Sequence, residues 1–223
     1  MIETAESLRA KYTNPTQTPT FNVDAVLRDY ARLLNANVPA NTFDFGNGLV
    51  PAHRHINSNG EQGGWVADTA VVASTVYVGV SAQVFDTAQV KGDVQVFGNA
   101  RVFGDAQVYD TAHVYGSAHV YGHAKVYGNS WVSGHAEVYG HVRVYGSTQV
   151  YGSTHVYGSA RVFDDAWLFG SAHVFDNASV YGKSNVSGYA KVSGDAQVFD
   201  DAHVFETAQV SGNMKVAGYS KVS

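Results

Sequence analysis

From Val66 to Val222 every sixth residue is Val, with Leu168 the one substitution, and these 27 positions run without insertion or deletion. A helix repeats its faces every ~3.6 residues, and ordinary strands run for about five or six, so neither accommodates the period. Two residues before each Val the side chain is small, Ala at most positions, with Ser130, Thr148, Thr154, Ser184, Ser220 and the larger Val76, Val94, Val142 and Met214 as replacements. Two residues after it stands Gly or Asp almost throughout. The unit reads A-x-V-[YF]-[GD]-[STND], as in Ala112-His113-Val114-Tyr115-Gly116-Ser117.

Ala and Val two apart point to one face of a strand, and the polar residue between them points to the other. Gly and Asp accept the left-handed backbone of tight turns. A short strand followed at once by a short turn, repeated without pause, must coil, with Val and Ala inward and the x residue outward. The pattern therefore predicts an all-β solenoid over residues 65–223, preceded by a separate segment over residues 1–64.

The six-residue period, with a branched aliphatic at one position and a small residue two before it, resembles the hexapeptide-repeat superfamily of left-handed parallel β-helices over residues 66–223. The resemblance implies three rungs per triangular coil, hence about nine 18-residue coils and a prism roughly 43 Å long at the usual strand spacing. In that superfamily the small turn residue usually follows the aliphatic directly. Here an aromatic or Ser intervenes, a form similar to the repetitive hexapeptide proteins of bacteria and their phages.

Composition follows from the repeat. The chain holds 35 Val against 6 Leu and 2 Ile, which disfavours a helical core. The absence of Cys excludes disulfides and thiolate metal sites. A net charge of -5 argues against nucleic acid as partner. No run of 18 apolar residues and no charged-then-apolar leader is visible, so neither a membrane nor secretion is expected, and a cytoplasmic or virion-associated location is.

With an 18-residue coil, residues 18 apart stack. The position after the rung Val then forms aromatic ladders at two edges, Phe85 to Phe175 and Tyr109 to Phe199, and an interrupted third, where Ser133 and Ser187 replace rings. One outward face carries Trp131 and Trp167, flanked by Phe97, Tyr115, Tyr151 and Phe169, and is the best candidate for burial against a partner or a second copy. A second face, running from Gln89 to Lys215, is polar and faintly basic.

The remaining face carries His119, Glu137, His155 and His173 in one column, with His123 and His141 at an adjoining corner. Zinc-dependent, carbonic-anhydrase-like members of the superfamily hold their metal with His from neighbouring coils, which makes His119, His155 and His173 the metal candidates of an enzymatic alternative. Its acyltransferases need a loop that leaves the coil to cover a cleft, and the 27 rungs contain no such excursion. The main expectation is a non-catalytic structural or binding protein without a cofactor. It would assemble as a homo-oligomer or bind a host or virion protein, and an acyltransferase-like or zinc enzyme working between protomers is the alternative.

Residues 1–64 escape the period. Asn22 can cap a helix over 23–36 with an apolar stripe of Val23, Val26, Leu27, Tyr30, Leu33 and Leu34, and a weaker helix is expected over 4–12. A small α-helical cap for the solenoid is the predicted role. The non-repetitive stretch that follows brings His53 and His55 onto one face if extended, with Trp65 close by, and these three are further binding candidates. Met214, the largest occupant of its column, is expected to plug the last coils.

Overall fold

Each hexapeptide closes into a two-residue rung. A computed structural model describes residues 41–223, and the helices expected over 4–12 and 23–36 lie outside the described residues. After β1 (Thr42–Asp44), β2 (Leu49–Ile56) and β3 (Gln62–Ala67), strands β4 (Val71–Val72) to β29 (Lys221–Val222) recur every six residues, with no helix among the described residues. Every third strand pairs in parallel, so the described residues form an all-β parallel solenoid of nine coils with three faces. Face one carries β3, face two β4 and face three β5 (Tyr77–Val78), each joined by its partners 18 residues further on.

Register is exact in the sense the period demands. Val108 pairs with Val90 and Val126, and Gln107 with Gln89 and Lys125, so inward columns stay inward and outward columns outward. The inward Val and Ala form one continuous core, almost all of it fully buried. Ser130, Thr148, Thr154 and Ser184 share this interior. Thr154 and Ser184 donate to the carbonyls of Tyr151 and Val198 at 2.6 and 3.3 Å, whereas the hydroxyls of Ser130 and Thr148 find no partner.

The turns need a left-handed residue. Gly116 has φ 72°, and a Cβ there would lie 2.9 Å from the backbone nitrogen of Gly134 on the next coil. Asp86, Asp110, Asp164, Asp176 and Asp200 adopt the same conformation with φ of 56° to 63°.

The stretch before the first coil, which carries no periodic signal, is built of strands. Asp44 Oδ1 accepts from the N–H groups of Gly46 and Gly48 at 2.7 and 2.9 Å, turning the chain from β1 into β2. β2 then pairs antiparallel with β3 and extends face one by two strands. Phe45 stacks on Phe85 at 4.7 Å, so the hairpin lends a ring to the first aromatic ladder at the coil where the repeat itself supplies Ala67. At the other end Met214, expected to plug the last coils, is 46% exposed.

Candidate functional site

The outward columns place the candidate residues. On face three Trp131 and Trp167 both pair with Gln149, which separates them by two coils, and they are 42% and 43% exposed. Trp131 is held from two sides, by the His113 ring at 5.1 Å and edge-on by Tyr115 at 6.0 Å. Tyr115 in turn stacks on Phe97 at 4.9 Å, and Tyr151 on Phe169 at 5.4 Å. Tyr115 thus touches Trp131, and Tyr151 and Trp167 line one groove on the same face.

Beside Trp167 lies an open groove of about 500 Å³, framed by Tyr151, Phe169 and Phe205 and floored by Asn185 and Ser187. Its origin is a missing ring. At the two complete edges the rings stack continuously at 4.7 to 5.2 Å. At the third, Ser187 stands where a ring would bridge Phe169 and Phe205, and the space it leaves is the groove. His203 and Lys221 supply polar groups at its far side.

Face one gathers the histidines without a common focus. His119 sits between Arg101 and Glu137, and His155 between Glu137 and His173. The rings of His155 and His173 stack at 4.9 Å, and His155 Nδ1 lies 3.7 Å from Glu137 Oε2. The Tyr121 hydroxyl donates to the same carboxylate at 3.1 Å. Burial and the neighbouring Glu137 push the Tyr121 phenol well above its ordinary range. Burial, then the Arg101 charge, lower His119 below the usual imidazole value, and burial followed by His155 and Lys191 do the same for His173. Among the described residues no three His, Asp or Glu side chains are placed to share a metal ion.

The hairpin candidates separate. His53 Nδ1 bonds Asp68 Oδ1 at 2.8 Å at the surface, while His55 is buried with Nε2 on the Val76 carbonyl at 2.9 Å. Arg54, the residue between them, lies over the Trp65 ring at 4.7 Å, and Phe43 stacks on the same ring at 4.7 Å. His55 acts with Asn57, whose side chain accepts from the Val78 N–H at 2.8 Å and donates to the Val78 carbonyl at 3.2 Å. These two side chains stand in for a strand along the first edge of face three. Burial accordingly lowers the His55 pKa, against the opposing bond to Val76.

Sequence reasoning singled out neither Asn57 nor the groove at Ser187. The interruption of the third edge was the available signal for the groove. Nothing in the local sequence marks Asn57, whose task depends on where the edge of β5 falls.

No curated protein matches the chain. Two segments, residues 94–110 and 136–152, match the family model of the YdcK β-solenoid repeat, each close to one 18-residue coil, so that over these coils the chain is similar to that repeat.

Proposed function

We propose that the protein is a non-catalytic β-solenoid scaffold whose third face docks a partner protein, a second copy of the chain included. The observation that carries this reading is the groove at Ser187 together with the half-exposed Trp131 and Trp167 on one flat, rigid face. Trp and Tyr dominate the energetics of protein interfaces, and a pocket beside such an anchor is where a partner side chain inserts. Along the other two edges the rings lie against one another in ladders, whereas face three turns Trp131 and Trp167 outward beside an unfilled space. The unbroken run of rungs supports a scaffold over an enzyme, since among the described residues no loop leaves the coil between Val66 and Val222 to wall a cleft.

The test uses a photo-crosslinking residue in place of Gln149, between the two Trp. Crosslinks to a second copy or to another protein, lost in Trp131→Ala/Trp167→Ala, support the reading. A chain that stays monomeric by light scattering at micromolar concentration and yields no crosslinked product from its native cell overturns it.

A further inference from the structure

Face two carries Lys125, Arg143 and Arg161 on three consecutive rungs, in register. Like charges directly opposite on neighbouring strands destabilise a sheet. The fold does not demand them, because Gln89, Gln107, Ser179 and Gln197 occupy the same column elsewhere. None of the three side chains is hydrogen-bonded or ion-paired among the described residues. Of the nearby carboxylates, Asp105 shares a groove with Lys125 and Arg143 but lies 3.3 Å from His123 Nδ1, while Asp110 and Asp164 accept from the backbone N–H groups of Gly128 and Gly182. A local conflict left uncompensated among the described residues is the mark of a site that something else completes.

The strip has walls. On one side the His123 and His141 rings stack at 4.8 Å, and with Lys125 and Arg143 they line a shallow groove of about 300 Å³ closed at one end by Asp105. On the other stands the ladder through Tyr109, Tyr127 and Tyr145. We propose that this strip is a binding site for an acidic polysaccharide lying along the solenoid axis.

The positive groups are spaced by the strand separation, about 4.8 Å, along a straight line. An extended pyranose polymer with one carboxylate per sugar advances by a similar step, so its line of acid groups runs alongside the line of cations. Nucleic acid fits less well. Phosphates along a B-DNA strand advance by about 3.4 Å. Bases need free ring faces to stack on, whereas Tyr127 and Tyr145 are covered on both faces by their ladder neighbours. The chain's overall charge of -5 repels a polyanion away from the strip, which confines contact to these rungs.

The experiment is calorimetric titration of the full chain with polygalacturonate at low salt, with neutral dextran and single- and double-stranded DNA as comparisons. Polygalacturonate binds and dextran does not, and affinity falls with added salt at a logarithmic slope of about 2 to 3, as expected for three neutralised charges. Lys125→Gln/Arg143→Gln/Arg161→Gln weakens binding about tenfold or more while its melting temperature stays level or rises, since repulsion is removed. Trp131→Ala/Trp167→Ala binds polygalacturonate as the parent does, which separates this site from the docking face. Absent binding, undiminished binding by the triple variant, a lowered melting temperature in that variant, or tighter binding of DNA would each overturn the proposal.

Discussion

The carboxylate of Asp110 accepts a hydrogen bond from the backbone N–H of Gly128, one coil further on, at 3.0 Å. The same bond joins Asp86 to Gly104, Asp164 to Gly182, Asp176 to Gly194 and Asp200 to Gly218. Asp at the turn is therefore more than a tolerated replacement for Gly: it offsets the strain of its left-handed backbone by tying two coils together. Asp110→Ala keeps the strain and loses a charge-assisted bond, so unfolding free energy falls by about 2 kcal/mol. Asp110→Gly loses the bond but also the strain, and stays within about 1 kcal/mol of the parent. Denaturant unfolding of the two variants side by side measures the difference.

Thr148 illustrates a different imperfection. Its hydroxyl is buried in the solenoid without a partner, in an inward column where Val76 and Val94 also sit. Thr148→Val preserves the shape and removes an unpaired polar group, so it stabilises by about 1 kcal/mol or more. For a chain of this size that corresponds to a rise in melting temperature of about 2–4 °C. Calorimetry reads it directly, and a fall would mean that the hydroxyl is satisfied.

The interrupted aromatic edge predicts a gain of stability that removes function. Ser187→Phe places a ring between Phe169 and Phe205, completing the stack that the other two edges already show. Each stacked contact contributes about 0.5–1.5 kcal/mol. The variant should melt at a higher temperature and, with its groove filled, lose the crosslink from position 149. Crosslinking that survives a filled groove would place the contact on Trp131 instead.

The solenoid was legible from Val66 onward because one residue, the rung Val, marks strand, core and register together, and a period without slips leaves a single way to stack it. The columns bearing Trp131, Trp167 and the histidines followed from the same arithmetic. The hairpin was not legible, since Asp44, Arg54 and Asn57 act through bonds to turns and edges whose positions no local pattern encodes. Asn57 is the clearest case: it pairs with Val78, 21 residues away, by imitating a backbone. The Lys125–Arg143–Arg161 strip stood in plain sight as a polar column, and only the absence of side-chain partners among the described residues distinguishes it from an ordinary solvated face.

Acid should weaken the fold through face one. In the folded chain His119 and His173 lie below the ordinary imidazole value of 6.5, each chiefly through burial, with the charges of Arg101 and of His155 and Lys191 adding to it. The unfolded chain then binds protons first as pH falls, so ΔG of unfolding decreases with falling pH wherever it holds more protons than the native state. The stability contributed by the two neutral imidazoles is complete above about pH 6.5. It declines below that pH until the lowered folded-state values are passed, after which the curve from these groups is flat. Glu137 opposes the shift at His119, so His173 is the cleaner probe. Melting temperatures measured from about pH 8 to about pH 5, a range that brackets the imidazole transition, should fall in the parent and fall less in His173→Gln. Identical slopes in parent and variant would remove His173 from the acid response.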